Sequence, residues 1–474
     1  MQKRLGSVIV LAGLFAIVAT AQDKRTVAEP VVPKVCAVLY ASFAAANGVL
    51  PEKIDEQAAN SADNGTATIQ KAIDRCRRTE GGKAAVELSA AGNQNAFLTG
   101  PIALKSGVTL MVDKGVTVFG SVNPRDYDYA ERPGICGTSG PKARGGCKAL
   151  ITIEDAPHTG VYGPGTIDGR GGVPMIGSNK SCWQVAREAE GPPMIPHSCP
   201  RLIVANHADD LTLYNITLKN SPNFHVAVNK TNGFTAWGVR IDTPVDARNT
   251  DGIDPGDSDN ITITRCWIHT GDDNVAIKSG GNGTHHLSIT HNHFYAGHGI
   301  SIGSGTYEGV SDMLVDDLVM IGTANGVRIK SDVTRGGLVS NITYSNICMK
   351  DVQAPIAISP NYNDTTVDPF EPTRFEGTKI PNYKNIVLWN IHVTTPGSVL
   401  LSGWDDAHST GVTLDGVAMD GLKPADIHMR FADVTVGPNG VSFVPAGKGV
   451  KVTGKPGKAI APDCTGRFVD FPKE

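Results

Sequence analysis

Residues 260–279 read "NITITRCWIHTGDDNVAIKS". A polar anchor, Asn260, opens an alternation of apolar and polar residues, and that period of two is the mark of a strand with one covered face. Asp272 and Asp273 then stand side by side at the mouth of a second alternation, which ends in Lys278. Adjacent acids usually sit in solvated turns. Here they open a strand, and what surrounds them decides why.

The same pattern recurs along the chain. "DLTLYNITL" starts at Asp210, "GFTAWGVRI" at Gly233 and "HLSITHNHF" at His286. "MLVDDLVM" follows Asp312, and "NITYSNICM", "NIVLWNIHV" and "GVTLDGVAM" start at Asn341, Asn385 and Gly411. The anchors are separated by 23, 27, 26, 26, 29, 44 and 26 residues. Self-similarity near 26 residues is that of a solenoid, whose coils cannot bury an apolar face alone but share a continuous core when stacked. This spacing predicts an all-β fold, a right-handed parallel β-helix with coils over about 100–450. The 44-residue interval holds an insertion, "NYNDTTVDPFEPTRFEGTKIPNYK", read as a rim loop.

Ahead of the coils, "GTATIQKAIDRCRR" (65–78) carries an apolar stripe of Ala67, Ile69, Ala72, Ile73 and Cys76. It is expected to be a helix closing the open N-terminal end within a cap at about 30–99. Residues 1–21 begin with Lys3 and Arg4, continue as an apolar run and end Ala19-Thr20-Ala21. That layout is a secretory signal peptide cut near Ala21, leaving a single β-helix catalytic domain over 22–474.

Composition narrows the partners. A formal net charge of −4 disfavours nucleic acid, and no later stretch is apolar enough to span a bilayer. An anionic ligand would therefore need a local cationic patch. Nine cysteines suit an oxidising compartment. Spacing suggests bridges Cys36–Cys76, Cys136–Cys147 and Cys182–Cys199, with at least one cysteine left unpaired. The sequons at Asn215, Asn260 and Asn341 fall at repeat positions and are read as ladder residues.

Aligning the second strand of each coil on its apolar pairs sets "DGIDP" from Asp251, "DNVAIKS" from Asp273, "HGISIGS" from His298 and "NGVRIKS" from Asn325 on one template. Ile253, Val275, Ile300 and Val327 then stack inward. Asp251, Asp273 and His298 share a column at the strand mouth, with Asp272 to one side. Arg328 points outward, and Lys278 and Lys330 share another outward column. Neighbouring strands lie about 4.8 Å apart. Three carboxylates so crowded do not ionise freely, so one should keep a proton while two act as bases. Glycoside hydrolysis needs that division, an acid for the leaving oxygen and a base for water. Asp254 and Lys278 are read as supporting residues.

"NTDGIDP" (249–255), "GDDNVAIKS" (271–279), "GHGISIGS" (297–304) and "VRIKS" (327–331) resemble the four signature motifs of polygalacturonases, glycoside hydrolase family 28. "SPNFHV" (221–226) and "GPGTIDG" (163–169) are similar to that family as well, and the likeness is strongest to secreted bacterial endo-polygalacturonases. The resemblance implies inverting hydrolysis of α-1,4-linked galacturonan by a monomer, with no cofactor and no metal. It implies Asp272 as general acid, Asp251 and Asp273 as activators of water, and His298 beside the acid. Arg328, Lys330 and Tyr362 would hold the substrate carboxylate. One departure is Asn274, where many eukaryotic members have a cysteine. Exo action, a rhamnogalacturonan or xylogalacturonan substrate, a calcium-dependent pectate lyase and a non-catalytic polysaccharide-binding solenoid remain alternatives.

Overall fold

The computed structural model describes residues 22–51, 53–59, 65–77, 82–191, 194–362 and 375–473. Residues 1–21, read above as a signal peptide, and 363–374 of the insertion lie outside them. Among the described residues the chain is a right-handed parallel β-helix, with a 20-stranded and an 11-stranded sheet wrapped around one core. A short antiparallel ribbon pairs Thr138–Ser139 with His197–Ser198. One continuous apolar cluster runs from Ala41 to Phe443, as stacking of incomplete coils requires.

The sequence anchors have a backbone reason. Asp210, Gly233, Asn260, His286, Asp312, Asn341 and Asn385 all have positive φ, the left-handed conformation that Gly, Asn and Asp tolerate best. They fall at the same register position of successive coils, where the backbone bends ahead of the apolar alternation. Their side chains also bond along the stack. Asn260 Nδ2 donates to Asn232 Oδ1 at 2.8 Å, and Asn385 Nδ2 to Asn341 Oδ1 at 2.8 Å. The sequon asparagines Asn260 and Asn341 thus sit in the ladder.

Helix α1 (Thr66–Cys76) caps the N-terminal coil. Ile69, Ala72, Ile73 and Cys76 are buried, whereas Ala67, in the first turn, is exposed. Gln70 ties the helix to the first coils, donating to Ala103 O and accepting from Ala103 N. The three expected disulfides are present, and a fourth, Cys348–Cys464, fastens the C-terminal tail. Cys266 is buried and unpaired. No described helix is long and apolar enough to cross a membrane.

The 11-stranded sheet carries the candidate site. Its relevant strands are β1 (Ile203–Asn206), β2 (Val226–Asn229), β3 (Ile253–Gly256), β4 (Val275–Ser279), β5 (Ile300–Thr306) and β6 (Asn325–Lys330). Ile203, Val226, Ile253, Val275, Ile300 and Val327 pair in sequence across this sheet. The register read from the alternation is the register of the fold.

Candidate active site

Two residues before that apolar column stand Arg201, Phe224, Asp251, Asp273, His298 and Asn325, one per coil. The backbone confirms the row: Gly252 N donates to Asp273 O at 2.9 Å, and Leu202 N to Phe224 O at 3.0 Å. The three aspartates therefore gather on the outer wall as expected. They are better covered than a surface column suggests, with Asp251 4 % and Asp273 2 % exposed.

Asp273 is the most heavily held. Ser301 Oγ donates to its Oδ1 at 2.6 Å, Arg328 Nη1 approaches the same oxygen at 3.4 Å, and Lys330 Nζ donates to Oδ2 at 2.8 Å. Burial would raise its pKa, but Lys330 and Arg328 outweigh that and hold it below the ordinary value. Tyr362 borders these cations, its ring centroid 5.6 Å from Arg328 and 5.3 Å from Lys330.

Asp272 faces His298, whose Nδ1 lies 3.0 Å from its Oδ1. Asn249 Nδ2 reaches the other oxygen at 3.4 Å. Burial again raises, yet the hydrogen bond and charge of His298, with Lys330, take Asp272 well below the ordinary range.

Asp251 is the reverse. Burial and then the charges of Asp254 and Asp272 push its pKa well up, and Lys278 only partly offsets them. Lys278 Nζ is 3.5 Å from Asp251 Oδ2 and in close hydrogen bond with Asp254 Oδ2. Lys278 is thus a direct ion-pair partner of a site carboxylate, beyond the supporting place read for it from sequence. Of the trio, Asp251 is the acid whose surroundings favour the protonated form. Asp272, to which the resemblance gives the acid's role, is drawn the other way by its hydrogen bond with His298 and by the Lys330 ammonium.

Support comes from below. His225, fully buried and pushed down to about 4 by that burial, places Nδ1 3.1 Å from Asp251 O and Nε2 2.7 Å from Thr243 Oγ1. Asn274 is also buried. Its Nδ2 donates to Ile268 O, Thr270 Oγ1 and Tyr295 O, and its Oδ1 accepts from Gly299 N at 2.8 Å. It thereby clamps the turn bearing both acids to the coil bearing His298. Ser301, Asn249, Phe224 and His225 are not among the sequence-predicted site residues, although all four lie in quoted motifs and Phe224 lies in the column of the aspartates.

Buried side-chain atoms with no hydrogen-bond partner mark the same place. Asp251 Oδ1, Asp254 Oδ1 and Arg328 Nε are among the nine such atoms found in the described residues. Orphaned groups clustered on a cleft wall are groups that a bound molecule or water can satisfy. Ligand atoms of Asp272, Asp273 and His298 lie within 4.8 Å of one another, near enough for a shared ion. But Arg328 and Lys330 already bring positive charge to these carboxylates, an arrangement that suits proton transfer and anion binding better than a divalent cation.

Residues 83–436 match the model of glycosyl hydrolases family 28. The chain is 43 % identical over 428 residues to an endo-polygalacturonase of Pectobacterium carotovorum subsp. carotovorum, covering 90 % of this chain and 96 % of that one. It is 37 % identical to a polygalacturonase of Ralstonia solanacearum, over 94 % of this chain and 92 % of the relative. The solved polygalacturonase of Erwinia carotovora ssp. carotovora superposes with a TM-score of 0.74 at 41 % identity, covering 86 % of this chain and 99 % of the other.

Proposed function

The chain belongs to the glycosyl hydrolases of family 28 and is a pectin-degrading glycoside hydrolase, and we propose that it cuts polygalacturonate within the chain, at α-1,4 linkages, with inversion. The observation that carries this reading is the meeting of three aspartates with Arg328 and Lys330 on one wall. A uronate carboxylate is the anion those cations fit, and Tyr362 closes the same corner.

The charge balance supports a division of labour that begins when substrate binds. A carboxylate arriving at Arg328 and Lys330 neutralises the charges that hold Asp272 and Asp273 low. The proton between His298 Nδ1 and Asp272 Oδ1 then moves onto Asp272, which passes it to the leaving glycosidic oxygen as the C–O bond breaks. Water, held by Asp251 and Asp273, attacks the anomeric carbon from the opposite side, and its proton goes to the basic carboxylate. Asp251 must lose its proton before this step, so activity should show an acid limb above the ordinary carboxylate range.

We also propose that 1–21 directs export, that 22–474 acts as one catalytic domain, and that the enzyme works as a monomer without cofactor. Four disulfides suit an oxidising destination. The test is incubation with polygalacturonate, with and without chelator, followed by product sizing and by NMR of the new reducing end. Mixed oligomers at early times, inverted anomers and indifference to chelator are expected. Unsaturated products that require calcium would sink the hydrolase mechanism, and monomer alone would sink internal cleavage.

A further inference from the structure

The column of the aspartates does not end at Asp251. Phe224 stands one rung before it and Arg201 one rung before that, both in the same register. The Arg201 guanidinium lies 4.6 Å from the Phe224 ring centroid, and Lys278 Nζ lies 4.4 Å from it. Arg201 is exposed, and its charge is felt at Asp254. On the other side, Arg328 and Lys330 sit two rungs past Asp273 and within cation–π range of Tyr362. The cleft thus has a cationic group beside an aromatic ring at each end, with the three aspartates between. The two ends differ in one respect. Arg328 and Lys330 are buried and bonded to Asp273, whereas Arg201 rests on an aromatic face with its guanidinium open to solvent.

We propose that Arg201, seated on Phe224, is a second carboxylate-binding point for the same uronide chain, on the side of the aspartates opposite Arg328 and Lys330. The proposal rests on the polygalacturonate reading above. A guanidinium seated over a ring can turn its N–H edge to a planar carboxylate, which an ammonium cannot match bidentately. Arg201 lies two rungs, about 10 Å, from Asp251, and five rungs, about 24 Å, from the strand carrying Arg328. A chain held at both points runs along the helix axis with the scissile bond between its anchors, which selects internal bonds and un-esterified sugars at two places.

The experiment compares the parent with Arg201→Gln and Arg201→Lys on polygalacturonate and on galacturonate oligomers of increasing length. Thermal melts confirm that each variant folds. For the parent, kcat/KM should climb with chain length and make a last step when the oligomer reaches Arg201. Arg201→Gln should erase that step and raise KM for the polymer about ten-fold, as for one lost charge-assisted hydrogen bond, with kcat held within about two-fold. Arg201→Lys should recover part of the loss. An unchanged polymer KM in Arg201→Gln, or an equal rise on every length, overturns the second anchor. A parent that leaves polygalacturonate uncut overturns instead the reading on which the anchor rests.

Discussion

Asp251 and Asp273 are neighbours in one column, one rung apart, and both are buried, yet their environments drive them in opposite directions. Around Asp273 the cleft supplies Ser301, Arg328 and Lys330. Around Asp251 it supplies Asp254 and Asp272, with Lys278 as the main counterweight. One half of the site is overcharged with cations and keeps its acid ionised. The other is overcharged with anions and pushes its acid toward the protonated form. Burial is common to both, so burial alone assigns no role; the sign of the neighbouring charge does.

Asn substitution at the two positions gives the largest effects and separates the halves. Asp251→Asn and Asp273→Asn should each lower kcat by about 10²–10⁴-fold on polygalacturonate. Their stabilities should move apart. Asp251 has a raised folded-state pKa, so its contribution is present in full below the unfolded value near 4 and is lost as pH rises through the folded value. Asparagine mimics the protonated form at every pH. Asp251→Asn should therefore melt higher than the parent at pH 7, and the gain should vanish below about pH 4. Asp273 has a lowered folded-state pKa, so its contribution is present above the ordinary value and lost as pH falls through the folded one. Asp273→Asn leaves Arg328 and Lys330 buried without their partner and should cost about 3–5 kcal/mol at pH 7. Melts that shift in the same direction would break the contrast.

Lys330→Met strikes the cationic half from the other side. It removes the 2.8 Å donor to Asp273 and one of the substrate's proposed charge partners. The expected loss in kcat/KM is about 10–100-fold, the worth of a hydrogen bond to a charged group. A neutral oligosaccharide lacking carboxylates should not feel the second of these losses.

Much of this was readable from sequence because the fold repeats. A positive-φ position recurs at the same register of successive coils, so Gly, Asn, Asp or His returns there at a near-regular spacing. A strand with one covered face alternates, so Ile253, Val275, Ile300 and Val327 set the register and the register put Asp251, Asp273 and His298 together. What escaped has no period. The Cys348–Cys464 bridge spans 116 residues and joins a coil to a tail outside the repeat. Ser301 is small and uncharged, so nothing marks it as a partner of Asp273. The location of the resting proton depends on distances from His298 and Lys330 to one carboxylate, which alternation does not encode. Arg201 and Phe224 are different, since the template extended two coils upstream would have placed them.

Asn274 joins the halves, and its removal should cost less. In Asn274→Ala the carbonyls of Ile268 and Tyr295 and the Gly299 N–H lose a buried partner, for an expected loss of about 1–3 kcal/mol in a denaturant melt. Activity should fall as well, because the turn carrying Asp272 and Asp273 is no longer tied to the coil of His298. A stable variant with full activity would mean the clamp is incidental.

Lys278→Met makes the smallest change and asks the most specific question. Burial would strip the Lys278 ammonium of its proton, but Asp254 and Asp251 hold its pKa above the ordinary lysine value. It therefore remains a cation wedged against two carboxylates, each with one unpartnered oxygen. Without it, Asp251 and Asp254 share a buried space with no charge directly between them, and the pair gives up its protons at higher pH. If an ionised Asp251 is needed to activate water, the acid limb of kcat/KM should move upward by about one unit, or about 1.4 kcal/mol. The value on the plateau above that limb should change far less, because by then the base is ionised in both proteins. A limb that stays in place, or moves down, would mean that the ionisation controlling the rate belongs to the Asp272–His298 side, and the anionic half would lose its claim on the base.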